Sequence, residues 1–485
     1  MTTTAADLDA RLDSARAALQ ACGQAHVLRA WDDLDHDGRA RLLDDIEGVD
    51  WPEVDRLIES HVKQKPVFAA PDNVEPAPVF PASPTADLEG RYAQAVKAGK
   101  TLLKQGKVAA FCVAGGQGTR LGWPGPKGTF PATPILGKPL FQTFAEQLQK
   151  AGRTYGKTPP FYVMTSPVNH ADTLAFFEEH DYFGLSKTDV MLFPQAMMPA
   201  VDLQTHKVLR SAPDRLALSP NGHGGSLKAL WTSGAIADMR KRGVEQVSYV
   251  QVDNPLVKVL DPLFLGLHTL GGAQMSSKAL PKAHAMEKVG NFCKAGGKVR
   301  VIEYSNMPDE LAQKTNADGS LMFNAGSIAI HTIAVSFVEQ LNQKGFGLPW
   351  NRAEKKVPFV DDAGAEHSPD TPNAVKLETF VFDALPLCDE SIVLETDRAE
   401  EFAPIKNADA AEGEPEQADS PASSKRMQSE RAAAWLASAG VDIPRSADGG
   451  VDAVIELSPL TAAGPADLGR AELPESIEAG AAITL

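Results

Sequence analysis

VAAFCVAGGQGTRLGWPGPK, residues 108–127, is the stretch whose reading decides the fold. Val108 to Ala114 are apolar and partly β-branched, the composition of a strand buried on both faces of a parallel sheet. Gly115, Gly116 and Gly118 then turn the chain sharply. Their missing Cβ atoms let backbone N–H groups approach an anion or the edge of a base. Arg120 offers a fork of donors to phosphate oxygens, and Lys127 adds a second, mobile charge. The glycines alone fit equally well a tight turn in any α/β enzyme; the two cations favour a cradle for a nucleoside triphosphate. Two familiar motifs fail on spacing. A dinucleotide fingerprint begun at Gly116 needs glycine where Leu121 stands, and a P-loop begun at Gly122 needs glycine at Lys127.

Outward from this loop, short apolar runs alternate with amphipathic ones. Strands are expected at 108–114, 160–166 and 190–194, with helices near 139–151 and 170–179, the alternation of a doubly wound parallel sheet. A helix at 226–239 precedes QVSYVQVDN, which places Asp253 and Asn254 at the carboxyl end of a strand, where such sheets bind ligands. Residues 273–335 and 374–396 read as strands of more antiparallel character, expected to wall the second side of a cleft. Upstream, residues 1–62 carry helical periodicity (Leu8, Leu12, Ala15, Leu19; Leu42, Leu43, Ile46) and read as a helical arm. Prolines recurring from Pro66 to Pro84 suggest an extended strap without a packed core. Residues 408–425 are acidic and almost free of large apolar side chains, the composition of a mobile loop. The tail resumes with the helical RAAAWLASAG and a strand-like run at Val454 to Leu457.

A chain of 485 residues exceeds what one core supports, so two or three domains are expected. The net charge of -16 argues against nucleic-acid or anionic-membrane partners, which leaves any anionic ligand to a local basic pocket. The N-terminus shows no secretory pattern and no run approaches the ~18 apolar residues of a membrane span, so a cytoplasmic location is expected. Cys22, Cys112, Cys293 and Cys388 lie far apart without a Cys-x-x-Cys pair, which suggests packed thiols rather than zinc ligands or disulfides.

Several polar residues are candidates for the chemistry. Asp253 can hold magnesium, a hard cation that prefers carboxylate, phosphate and water oxygens, or can simply cap the next turn. His223, in NGHGGSLKAL, is flanked by glycines that suggest close approach of a ligand; a lone loop histidine is otherwise a solvated one. Gln195 follows a strand end and can hydrogen-bond a nucleobase, whereas Met197 and Met198 read as core. Glu303 and Asn324 occupy strand-end and turn positions suited to sugar hydroxyls, the alternative for Asn324 being a turn residue. Lys406 by itself reads as a solvated neighbour of the acidic loop.

Taken together, AGGQGTRLG, PKG, PQ, NGHGG, VDNPLVKVLDP, EKVG, VIEYS, FNAG, KLETFVFD, IKNAD and ELSPL, in this order, resemble the UDP-sugar pyrophosphorylases, most closely the eukaryotic-type UDP-N-acetylglucosamine enzymes. The resemblance implies a Rossmann-like α/β nucleotide-diphospho-sugar transferase fold with a mainly parallel central sheet, a helical N-terminal extension and a small α+β C-terminal one. The expected division is 1–105 for the N-terminal arm and strap, 106–395 for the catalytic domain and 396–485 for the C-terminal domain. The implied reaction is UTP plus N-acetylglucosamine 1-phosphate giving UDP-sugar and pyrophosphate, with Mg2+ as cofactor and small molecules as the partners. Carried over residue by residue, Gly115, Gly116, Gly118, Gln195 and Gly222 bind UTP through its base side. Arg120, Lys127 and Lys406 hold the phosphates as catalytic residues, with Lys376 a further phosphate candidate, and Asp253 holds the metal. His223, Gly290, Glu303, Asn324, Phe380 and Phe382 meet the sugar. One position departs: acetylglucosamine enzymes of this kind usually carry Asn where His223 stands, whereas the UDP-glucose enzymes have a Gly-His-Gly motif like the one here. UDP-glucose formation is therefore the alternative reading, followed by a non-catalytic nucleotide-sugar-binding protein.

Overall fold

The computed structural model describes residues 5–66, 71, 73–343 and 345–485; residues 67–70 and 72 of the Pro-rich strap, and the first four residues of the arm, lie outside the described residues. The chain divides into two compact units. The larger takes residues 70–194, 228–347 and 382–485, and the smaller takes 1–69, 195–227 and 348–381.

The larger unit is built on an 11-stranded sheet. Its strands are β1 (Glu75–Pro76), β2 (Val79–Phe80), β3 (Val108–Val113), β4 (Phe161–Thr165), β5 (Val190–Pro194), β6 (Gln246–Gln251), β7 (Met275–Pro281), β8 (Gly290–Ala295), β9 (Lys298–Ile302), β10 (Ala325–Ala334) and β11 (Val393–Glu395). The main path runs β2-β11-β7-β10-β6-β3-β4-β5, with β8 joining β10 and carrying β9 and β1. All six residues of β3 are buried, as its unbroken apolar run requires, and it lies parallel to both β4 and β6. β4 is likewise buried along its length and parallel to β5. The antiparallel flavour read at 273–335 belongs to β10, which opposes β6 on one side and β7 on the other.

Helix Leu140–Tyr155 covers this sheet through Leu140, Phe141, Phe144 and Leu148, all fully buried with Phe161, Val163 and Phe177 in one core. Removing each such side chain from water contributes about 1.5–3 kcal/mol. The helix expected at 226–239 is two helices, Gly225–Thr232 and Ala235–Arg242, because Gly234 at φ 82° interrupts it. Helix Glu89–Gln105, which the sequence reading passed over, ends on Gly106 in the left-handed conformation.

Three expectations are corrected. The strap is not coreless: β2 pairs in parallel with β11 and β1 pairs antiparallel with β8, so it supplies strands to the main sheet. Residues 1–62 are not a free-standing arm. Leu12, Leu19, Leu42, Leu43, Val54 and Leu57 share one core with Met198, Val201, Val208, Leu216, Val375 and Leu377, so the described part of this segment packs with 195–227 and 348–381 rather than forming a 1–105 domain. The acidic loop ends at Ser420, not 425, because Ser420 and Ser423 form a capping box that starts helix Pro421–Ser438. This helix packs on strand Ala453–Glu456 in a separate small core, around Trp435, Leu436 and Ile455.

Candidate functional site

Register places the carboxyl ends of β3, β6 and β7, the amino end of β10 and the carboxyl end of β11 along one edge of the sheet. The glycine-rich loop, Asp253, Asn324 and the segment leading to Lys406 all leave from that edge.

The loop after β3 is a pinned turn. Lys127 N–H donates to the Gly116 carbonyl at 3.1 Å, and Gly118 N–H donates to the Gly125 carbonyl at 2.9 Å. A Cβ on Gly118 would sit 2.7 Å from Trp123 Cβ, so side-chain packing enforces glycine there. At Gly116 the reason differs: nothing lies within 4 Å of where its Cβ would be. The space above Gly116 is open, and Gly115 beside it is partly exposed. Asn169, fully buried, holds the loop from below, donating from Nδ2 to the Ala114 and Gly116 carbonyls at 3.0 and 3.2 Å. Sequence reading missed it; the available signal was an Asn standing directly before a helix.

Asp253 lies two residues beyond β6, where Val252 N–H still donates to the Val113 carbonyl at 3.1 Å. The Lys127 ammonium is 3.5 Å from the Asp253 carboxylate, and both side chains keep about a fifth of their surface exposed. Arg120 is exposed and, among the described residues, joins no ion pair. Lys406 is exposed as well; its ammonium lies 5.3 Å over the Phe402 ring and 4.0 Å from Asp419. Its backbone is tied in, because Ile405 N–H donates to the Asp253 carbonyl at 2.8 Å.

A second group gathers where β8, β9 and β10 meet. Gly290 pairs with Ser327, and a Cβ on it would lie 2.5 Å from Val301 Cγ1 and 3.4 Å from Glu303 Oε1. Burial pushes the Glu303 carboxyl above its ordinary value. Asn324 accepts the Lys282 N–H at both its carbonyl and its Oδ1, at 2.9 and 3.0 Å, which leaves its Nδ2 hydrogens as donors. The buried Lys282 ammonium in turn donates to Asn291 Oδ1 at 2.7 Å. Phe382 is buried.

The smaller unit carries the remaining candidates. Gln195 is buried, and Lys376 is half-buried on strand Ala374–Glu378. Gly222 has φ 82°, and a Cβ there would fall 2.3 Å from the Thr379 carbonyl oxygen, so its glycine is required by backbone packing whatever it binds. His223 is not a solvated loop residue. Its Nδ1 accepts the Val381 N–H at 3.1 Å, and its ring stacks on Phe380 with centroids 5.3 Å apart. Accepting at Nδ1 assigns the proton of the neutral ring to Nε2. Burial pushes its pKa down to about 4.

Among the described residues no group of three or more His, Cys, Asp or Glu side chains could cage a metal. A single partly exposed carboxylate beside a cationic glycine-rich loop is compatible with magnesium, which keeps most of its ligands as water and substrate phosphate. No helix of the described residues is long and apolar enough to cross a membrane.

A mainly parallel sheet with a cationic glycine-rich loop and a carboxylate at its carboxyl edge is an architecture suited to a nucleotidyltransferase. The comparisons narrow that class. The family UDPGP, described as UTP–glucose-1-phosphate uridylyltransferase, matches residues 57–411. UDP-N-acetylhexosamine pyrophosphorylase-like protein 1 of Xenopus tropicalis is 34% identical over 476 residues, covering 92% of this chain and 91% of that one. UDP-N-acetylglucosamine pyrophosphorylase of Saccharomyces cerevisiae is 34% identical over 436 residues, covering 86% and 90%. Among solved structures, the uridine diphosphate N-acetylglucosamine pyrophosphorylase of Trypanosoma brucei, in complex with an inhibitor, superposes with a TM-score of 0.80 at 28% identity, covering 94% of each chain. This chain belongs to the UDPGP family of UDP-sugar pyrophosphorylases.

Proposed function

We propose that the protein is a uridylyltransferase that joins UTP and an N-acetylhexosamine 1-phosphate, with N-acetylglucosamine 1-phosphate favoured, to give UDP-sugar and pyrophosphate. The observation that carries this reading is the pinned, open glycine loop whose Lys127 stands 3.5 Å from Asp253 at the sheet's carboxyl edge. The names of relatives spanning most of the chain support acetylhexosamine over glucose.

An oxygen of the sugar phosphate attacks the α-phosphorus of UTP while pyrophosphate leaves from the opposite side, with no covalent enzyme intermediate. Positioning and charge neutralisation therefore carry the rate. The open face over Gly115 and Gly116 accepts the uridine, and Gly118 keeps the turn that presents it. Arg120 and Lys127 offset the triphosphate charge, and Lys406 that of the leaving group. Each such contact is worth on the order of 100- to 1000-fold in rate. Asp253 would hold magnesium, which when bound neutralises phosphate charge. Glu303 accepts a hydroxyl hydrogen of the sugar, Asn324 donates from Nδ2, and Gly290 lets the ring approach the backbone. The assignments of Gln195 and Gly222 to the uridine, and of His223, Phe380 and Phe382 to the sugar, stand within the same proposal, as does a cytoplasmic location.

The test is pyrophosphate release with UTP across a panel of sugar 1-phosphates. Preference for N-acetylglucosamine 1-phosphate is expected, and preference for glucose 1-phosphate would overturn it. One observation favours that second reading: the Gly-His-Gly of the glucose enzymes is present here, with His223 locked against Phe380. If His223→Asn leaves the order of preference among sugars unchanged, His223 is not the determinant.

A further inference from the structure

The turn after Asp253 and the segment that ends at Lys406 are fastened to one another by buried polar groups that the proposed reaction does not use. Asn254, 4% exposed, donates from Nδ2 to the Glu401 carbonyl at 2.7 Å. Its Oδ1 accepts the Ala403 N–H at 3.0 Å and the Leu256 N–H at 3.3 Å. One side chain thus bridges two stretches of backbone almost 150 residues apart in sequence.

Behind it lies a buried ion pair. The Lys278 ammonium, on β7, donates to both Glu401 oxygens at 2.7 and 2.6 Å and to Asp261 at 2.7 Å. Lys278 and Glu401 keep about 1% of their side-chain surface. Burial alone would lower the Lys278 pKa, but the Asp261 and Glu401 carboxylates hold it above its ordinary value. The remaining capacity of Glu401 is also taken up: Oε1 accepts the Lys258 N–H at 3.2 Å and Oε2 accepts the Thr396 hydroxyl at 2.8 Å. From the C-terminal helix, Arg431 adds a third stitch, donating to the Leu256 and Glu400 carbonyls at 2.8 and 3.1 Å.

Stability alone is a weak reason for such an arrangement, since a buried pair replaced by apolar side chains of similar volume is often neutral or stabilising. What the network does accomplish is registration. It holds 254–258 against 401–403, and the chain then reaches Asp253 on one side and, through the Ile405 N–H to Asp253 carbonyl bond, Lys406 on the other. We propose that Asn254 and the Lys278–Glu401 pair are positioning residues that fix Asp253 and Lys406 relative to one another. This rests on the assignment of those two residues to the transfer reaction. In the proposed reaction the network has no substrate role of its own, and it acts through the backbone that carries the two charged groups.

The experiment is a double-mutant cycle on the full-length chain, read as kcat and KM for UTP and sugar 1-phosphate. Asn254→Ala is expected to lower kcat on the order of 10- to 100-fold, as a displacement of about 1 Å does, with both KM values within about twofold. In a Lys406→Met background the same change is expected to lower kcat less than about threefold, because the group being positioned is already gone. An equal fall in both backgrounds, or an unchanged kcat, overturns the proposal. Should Asn254→Ala fail to fold, Glu401→Gln takes its place in the cycle; it keeps the side-chain volume and leaves the Lys278 ammonium its Asp261 partner. Lys406→Met with wild-type kcat would overturn the site assignment itself, and the positioning role with it. An additive cycle in an otherwise intact enzyme overturns the positioning role alone.

Discussion

His223 gives the sharpest quantitative handle on this protein. Its imidazole is largely enclosed, accepts the Val381 N–H and stacks on Phe380. Burial lowers its pKa from 6.5 to about 4. A histidine in the unfolded chain takes up its proton near pH 6.5, whereas the folded one resists until about pH 4. Between these values the unfolded state binds more protons, so folding stability rises with pH through that window and falls on acidification. At 1.36 kcal/mol per pKa unit, the full effect is about 3 kcal/mol, of which most is lost by pH 4.5. His268, also buried, has its pKa lowered to about 3 and adds a similar dependence, so the wild-type slope alone does not isolate His223. The comparison with His223→Asn does. Urea unfolding at pH 7.5 and 4.5 should show the wild type losing about 2–3 kcal/mol more than the variant over that interval. At pH 7.5 the variant should be less stable by about 1–3 kcal/mol, from the lost stacking and the disturbed acceptor for Val381. Equal pH dependence in the two proteins, or a His223 ring resonance that titrates near pH 6.5, would refute the burial argument.

Three further outcomes are expected. Glu303→Gln should be more stable than wild type at neutral pH, with the gap opening as pH rises above 4.5, because only the wild type must ionise a carboxyl that burial holds above its ordinary value. The same variant should raise KM for the sugar phosphate while sparing KM for UTP, and paired denaturation and kinetic series check both. Asn169→Ala should cost about 1–3 kcal/mol by stripping the Ala114 and Gly116 carbonyls of their buried donor, and should raise KM for UTP; an unchanged KM would mean the loop holds its shape without it. Gly222→Ala should cost about 2–4 kcal/mol in thermal or urea unfolding, since it adds left-handed strain to a Cβ lying 2.3 Å from the Thr379 oxygen.

Much of the larger unit was legible from periodicity. Strands Val108–Val113, Phe161–Thr165 and Val190–Pro194 and helices Leu140–Tyr155 and His170–Glu179 fall within a few residues of their expected limits. Their apolar patterns match the burial each element meets, and burial is what the pattern encodes. The glycine-rich turn and the strand-end Asp253 were also readable, because local backbone geometry and sheet topology place them. Other features were missed or left no local trace. Helix Glu89–Gln105 was overlooked beside the Pro-rich strap although its buried Tyr92, Ala95, Leu102 and Leu103 recur at helical spacing, and Glu75–Pro76 and Val79–Phe80 became sheet because β8 and β11 were there to pair with them.

What the sequence by itself determined was the alternation of elements, the loop that turns at Gly115–Gly118 and the residue types able to bind a polyanion. The tertiary structure decided which of them meet. It brought the helices of the first 62 residues into one core with Val201, Leu216 and Leu377, stacked His223 on Phe380, and set Asn169 under the glycine loop. It also buried Lys278 against Glu401, more than 120 residues away. The physical reason is the same in each case: a single buried polar or apolar contact between distant segments has no period to announce it, and its partner exists only once the chain has folded.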